Sequence, residues 1–208
     1  TRFDVRTRTS LPEGRWQETD AAGAGQEIAA GGSAAAAWTA GPCRIERKVT
    51  VRDDHVAIAD TLTNTTGQLV GVMVEHRVRP WDGGRGTRDE SGRSDPSRVP
   101  RPASPDTVLL AGRQALGETS QERCPSHPSA FARWGGMGLG MVAEDDVFRV
   151  HVRSFREQGA IGLADPMLGL ASGASVTLEW SLYPTPGGDC WDFVNAVRRT
   201  WETNFTIP

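Results

Sequence analysis

Between Arg44 and Val78 the chain alternates apolar and polar residues at period two through three runs, each closed by turn-forming residues. Strands that bury one face satisfy such a pattern; an amphipathic helix, with its period of 3.6, does not. Ile45, Val49 and Val51 share one face of the first run. After Asp53-Asp54, the second run puts Val56, Ile58 and Leu62 on one face, and Asn64-Thr65-Thr66-Gly67 supplies the next turn. In the third run Val70, Val72, Val74, His76 and Val78 lie on one side and Leu69, Met73, Glu75 and Arg77 on the other, apolar enough on both for a central strand. The three together read as a meander.

Further strand-like runs follow at Ser129–Trp134, Gly136–Ala143, Val147–Phe155, Ala160–Leu163 and Ser175–Tyr183, separated by Gly, Asp and Pro. In the last, Val176, Leu178, Trp180 and Leu182 form a sustained apolar face. Between these blocks, residues 80–105 are rich in Gly, Arg, Ser, Asp and Pro without periodicity, which predicts a long surface loop. The Gly/Ala-rich stretch from Asp20 to Ala37 reads as a loose loop, with a marginal helix as the alternative. The period changes once. Asp189 can cap a helix in which Cys190, Val194, Val197 and Trp201 recur at helical spacing. The expected architecture is mainly β: a large antiparallel β-sandwich over residues 1–188, with a C-terminal amphipathic helix and linker over 189–208 leading toward a further domain.

With 208 residues the chain is long enough for one such domain. Its 23 basic and 26 acidic residues are mixed along its length, giving a formal charge of -3. No run is built to neutralise phosphates, so nucleic acid is not an expected partner. Nor is a membrane, because no stretch approaches the roughly 20 apolar residues needed to span one. A soluble protein is expected, periplasmic or secreted if a signal peptide precedes it. Cys43, Cys124 and Cys190 lack metal or redox spacing and read as buried or unpaired thiols, with a single disulfide as the alternative. No cofactor or metal site is expected; Glu144-Asp145-Asp146 reads as a turn, since three consecutive acids cannot converge on one ion. Asn64-Thr65-Thr66 and Asn204-Phe205-Thr206 are glycosylation sequons.

The familiar catalytic motifs are absent. Gly135-Gly136-Met137-Gly138-Leu139-Gly140 lies between strand-like runs, where a tight turn and close sheet packing account for it. Glu75 and His76 are adjacent on one strand and must point to opposite faces, so they cannot form a direct acid/base pair. His76 falls on the valine face, the place of a core histidine. If Val147–Phe155 is a strand, Arg149, His151 and Arg153 form a row of donors able to hold sugar hydroxyls or a uronate carboxylate, with Glu179 as the natural carboxylate nearby. A solvated face with charge pairs is the plainer account of the same row. Of the seven tryptophans, Trp81 and Trp16 are the best placed to stack on a sugar.

The segment RIERKVTVRDDHVAIADTLTNTTGQLVGVMVEHRV resembles the galactose mutarotase-like β-sandwich domains found beside catalytic domains in bacterial glycoside hydrolases. The segment ASGASVTLEWSLYPTPGGDCWDFVNAVRRTW resembles the end of such a domain, where a last strand gives way to a linker helix. The resemblance implies an accessory, non-catalytic domain of a carbohydrate-active enzyme. It would pack on a catalytic domain of the same chain and line the cleft for a polysaccharide or oligosaccharide, through Trp81, Arg149, His151 and Arg153. Enzymes of this fold that interconvert sugar anomers use a histidine and a glutamate, and His76 or His151 with Glu179 is the nearest match. A self-contained epimerase or polysaccharide lyase, and a free-standing binding module, are the alternatives.

Overall fold

The computed structural model describes residues 3–10, 17–19, 31–80, 105–111, 113–114, 128–157 and 159–203. Trp16, Trp81, Cys124, Asn204 and nearly all of the 80–105 segment lie outside the described residues.

Thirteen strands and two helices are described: β1 (Phe3–Ser10), β2 (Gln17–Thr19), β3 (Ser33–Ala40), β4 (Cys43–Val51), β5 (Val56–Asn64), β6 (Val70–Pro80), β7 (Thr107–Ala111), β8 (Arg113–Gln114), β9 (Ser129–Trp134), β10 (Met137–Ala143), α1 (Asp146–His151), β11 (Arg153–Glu157), β12 (Ala160–Leu170), β13 (Ser175–Thr185) and α2 (Cys190–Thr200). They form a six-stranded sheet, β2-β1-β6-β12-β11-β8, and a seven-stranded sheet, β3-β4-β5-β13-β10-β9-β7. Pairing is antiparallel except between β8 and β11. The molecule is a β-sandwich.

The core lies between the two inner faces. Val74, Val78, Ile161 and Leu163 of the six-stranded sheet meet Ile45, Leu62, Leu139, Met141 and Trp180 of the seven-stranded one, all at 1% exposure or less. Each such side chain contributes about 1.5–3 kcal/mol when fully withdrawn from water. Asn64, itself buried, ties two turns of the sandwich together. Its Nδ2 donates to the carbonyls of Gln68, Leu170 and Ala171 at 2.7–3.0 Å, while its Oδ1 accepts from Thr66. The amide of this sequon is a structural group.

Three sequence expectations are corrected. Val147–Phe155 is not one strand: α1 occupies Asp146–His151 and β11 begins at Arg153. Asp145 caps the helix by accepting from the Phe148 amide, with Asp146 in its first turn and Arg149 and His151 in its last, and these end effects outweigh the period-two alternation. Phe148 enters the core from α1, which carries the chain from one sheet to the other. Second, Ser33–Ala37, inside the expected loop, belongs to β3 and pairs with β4. Third, the helix from Asp189 is present as α2, but its buried stripe is centred on Phe193 and Ala196, whereas Val194 is exposed. Asp189 accepts from the Trp191 amide as the cap, as expected.

Helix α2 lies on the outer face of the seven-stranded sheet, with Phe193 and Ala196 against Phe131, Val142 and Tyr183. The glycine-rich segment makes this approach possible. Gly135 and Gly136 take positive φ in the β9–β10 turn, and a Cβ on Gly140 would overlap the Phe193 ring.

Candidate functional site

Among the described residues, an extended gathering of charged side chains lies on the outer face of the six-stranded sheet. Strand alternation aims Val74, His76 and Val78 of β6 inward, so Glu75, Arg77 and Arg79 point outward. Register then assembles two rows across four strands: Arg153–Ala164–Glu75–Arg8 and Phe155–Gly162–Arg77–Arg6. Strand β12 gives these two rows only the small residues Gly162 and Ala164, so neighbouring side chains lean across it. A Cβ on Gly162 would overlap the Phe155 ring, and the Arg77 guanidinium lies 5.4 Å over that ring. Glu75 accepts from Arg8 Nε at 2.5 Å, Glu157 accepts from Arg8 Nη2 at 3.2 Å, and Arg77 donates to Glu157 as well. The two glutamates thus cross-link two arginines into a fixed lattice. With Arg6, Arg79 and Arg153 alongside, register brings five arginines to this face, together with Glu75 and Glu157 and with Asp4 opposite Arg79 and Glu18 opposite Arg8. Arg153 Nε is buried and makes no hydrogen bond. The third-run alternation already placed Glu75 and Arg77 together on this side; their partners, Arg8 and Glu157, were not foreseen.

His76, by contrast, is in the core. It is fully buried, with Nδ1 3.0 Å from Thr7 Oγ1 and 3.5 Å from Asp60 Oδ2. Asp60 on β5 receives Arg47 Nε and Nη2 at 2.7 Å each and Trp180 Nε1 at 3.1 Å. Burial raises the Asp60 pKa, but the Arg47 guanidinium outweighs it and holds the carboxyl below the usual carboxylate range. Burial disfavours the imidazolium of His76 and pulls its pKa down to about 4, against the attraction of Asp60. This charge network ties the two sheets together.

The remaining expected residues disperse. Arg149 stacks on Trp201, its guanidinium 4.3 Å from the ring centroid, and donates to the Ala143 carbonyl at 3.1 Å. His151, part-exposed at the end of α1, has Nδ1 3.8 Å from Oδ2 of the buried Asp165. Burial lifts the Asp165 carboxyl above its ordinary value, opposed by the Met167 amide and by His151. Glu179 is exposed on the outer side of the seven-stranded sheet. With α1 in place of a strand, Arg149, His151 and Arg153 do not form one row. His76 is buried between the sheets, against the inner face of the seven-stranded one, and Glu179 stands on that sheet's outer face, so the two cannot act as a pair.

Among the described residues no group of three or more His, Cys, Asp or Glu side chains is placed to hold a metal ion. Cys43 and Cys190 are free thiols, and burial pushes the Cys43 pKa up. No described helix is long and apolar enough to cross a membrane.

No family model matches this chain, and no curated protein matches it in sequence. Solved structures that resemble it include a polysaccharide lyase, at 17% identity and a TM-score of 0.49 over 88% of this chain and 25% of the lyase. A protein from Escherichia coli K12 described as an aldose 1-epimerase matches at 12% identity and a TM-score of 0.36, over 74% of this chain and 65% of that one. A protein from the human microbiome described as a kojibiose phosphorylase matches at 9% identity and a TM-score of 0.42, over 97% of this chain and 25% of that one. The chain therefore spans a quarter of the length of the lyase and of the phosphorylase, and about two thirds of the epimerase.

Proposed function

We propose that this sandwich is an accessory domain of a carbohydrate-active enzyme, and that the outer face of its six-stranded sheet lines a cleft for an acidic oligosaccharide. The arginine–glutamate lattice carries the reading. Guanidinium groups bind carboxylates through paired, charge-assisted hydrogen bonds. Arg8 and Arg77 are already held in place by Glu75 and Glu157, so they lose little side-chain freedom on engaging a ligand. The dispersal of His76, His151 and Glu179 supports a domain that presents substrate and leaves the chemistry to another domain of the same chain.

The test is calorimetric titration of the chain with uronate-containing oligosaccharides and with neutral ones of equal length. Acidic oligosaccharides bind and neutral ones do not bind this face. Arg77→Ala weakens binding about tenfold, or about 1.4 kcal/mol. Absence of binding by the acidic oligosaccharides, or an unchanged affinity for them in Arg77→Ala, overturns the reading. A catalytic alternative has one observation in its favour, the approach of His151 to buried Asp165. Release of reducing or unsaturated ends by the chain alone, abolished in His151→Ala, would establish it.

A further inference from the structure

A second candidate site lies beside the seven-stranded sheet, between the β4–β5 turn, the end of β13 and helix α2. It is a groove of about 480 Å³, within the range of small-molecule sites (~300–1,000 Å³). Val56, Pro184, Pro186 and Ala196 give it an apolar floor, while Arg52, Asp192 and Arg199 supply polar groups from its two sides. His55 and Asp54 also line it.

His55 is the most constrained of these groups. Its ring stacks on the buried Tyr183, centroids 5.1 Å apart and planes at 24°. Its Nδ1 is 2.7 Å from Asp54 Oδ1, and Asp54 Oδ2 accepts from Thr200 of α2 at 3.4 Å. The His55 hydrogen bond holds the Asp54 carboxyl below the ordinary carboxylate range despite some desolvation. A carboxylate that fixes Nδ1 and an aromatic ring that fixes the plane leave Nε2 as the imidazole atom available to a ligand. Such preorganisation costs conformational entropy, and the β4–β5 hairpin does not need it for its own turn: Arg52 N already closes that turn on the His55 carbonyl at 2.8 Å.

We infer that this groove binds a neutral sugar residue. Its described side chains carry both signs, two guanidiniums against the carboxylates of Asp53, Asp54 and Asp192, so a ligand of strong net charge of either sign meets repulsion from one set. A pyranose without a carboxylate has what the groove matches: an apolar ring face for the prolines and valine, and hydroxyls that both donate to carboxylates and accept from guanidinium and imidazole. The inference rests on the carbohydrate reading above but uses a different surface, so the two fail separately.

The experiment is saturation-transfer NMR and calorimetric titration of the full chain with methyl glucoside, galactoside and mannoside, their β- and α-linked disaccharides, and glucuronate. At least one neutral sugar binds saturably and glucuronate binds this groove more weakly. Arg199→Ala, on an exposed position of α2, weakens that binding at least tenfold with an unchanged melting temperature, and His55→Ala weakens it as well. Arg77→Ala, on the six-stranded sheet, leaves it unchanged. Absence of saturable binding by every neutral sugar, or retained affinity in Arg199→Ala, overturns the inference. Loss of uronate binding in Arg77→Ala with neutral-sugar binding intact separates the two sites.

Discussion

The imidazole of His76 lies flat against the indole of Trp180, ring centroids 4.6 Å apart and planes at 21°, although the two residues belong to opposite sheets. Phe148 closes the other side edge-on at 5.6 Å. The stack locks the histidine so that Nδ1 points at Thr7 and Asp60, and it shields the ring from water on both sides. A histidine so placed contributes to sheet–sheet registry.

That placement makes stability depend on pH in a defined direction. The folded state holds His76 with a pKa of about 4, whereas the unfolded chain takes up its proton near the ordinary histidine value of about 6.5. The unfolded state therefore binds more protons between these values, and folding stability falls as pH drops from about 6.5 to about 4, by about 3 kcal/mol in all. Below that window both states are protonated and this contribution is constant. Urea unfolding at pH 7, 5.5 and 4 measures the loss, and His76→Phe removes the dependence belonging to this window. An equally steep dependence in the variant would assign it to another group.

Asp60 and Arg47 are a buried pair whose partners satisfy each other, and breaking one side is costlier than the pair is worth. Asp60→Ala leaves the Arg47 guanidinium, nearly buried between Trp38 and Trp180, without its counter-charge. The expected cost is about 3–5 kcal/mol. The double variant Arg47→Met with Asp60→Leu recovers a large part of that loss. Chemical denaturation of the three proteins checks it; additive losses would contradict coupling of the pair.

Asp145 has a double task. One carboxylate oxygen caps α1 at the Phe148 amide, 2.7 Å away, and the other accepts from the Glu179 amide of β13, also at 2.7 Å. Asp145→Ala loses both, so the cost exceeds the ~1 kcal/mol of an ordinary cap and comes to about 2–3 kcal/mol with a second charge-assisted bond counted. Asp145→Asn, which keeps an oxygen acceptor and an isosteric shape, loses less. Melting temperatures of the pair give the ranking, and equal values would show that the bond to β13 contributes nothing.

What could be read from the sequence follows from where each pattern has its cause. The strands at Arg44–Val78, Ser129–Trp134 and Ser175–Thr185 bury one face between sheets, and a half-buried strand writes its alternation directly into the residues. Strand β3, SAAAAWTA, carries alanine on both faces, so it has no alternation to display and merged with the Gly-rich stretch before it. Helix α1 failed for the opposite reason: from Phe148 to Arg153 apolar and polar residues alternate perfectly, yet within α1 only Phe148 is buried. The candidate face was half legible. Glu75 and Arg77 share a side by spacing alone, but Arg8 lies 67 residues before Glu75 and Glu157 lies 80 residues after Arg77. No local pattern encodes a pairing at such separation, which only sheet topology supplies.

The glycine-rich segment permits the sharpest structural test. Gly140 sits on β10 directly beneath α2, and the Phe193 ring occupies the volume a Cβ would need. Phe193 is itself held by Phe131, stacked at 5.8 Å, and by Tyr183 at 5.9 Å, so the ring cannot simply rotate away. Gly140→Ala must therefore lift α2 from the sheet or push Phe193 off its rotamer, at a cost of about 1–3 kcal/mol. Lifting α2 also draws Trp201 Nε1 away from Glu144, a hydrogen bond of 2.6 Å, and unstacks Arg149 from the Trp201 ring. The expected signature is lower stability with a change in tryptophan fluorescence that Trp201→Phe abolishes. Gly169→Ala, whose Cβ would meet nothing within 4 Å, is the matched control on β12 and changes neither. Equal behaviour of the two glycine variants would mean that α2 is not seated on Gly140.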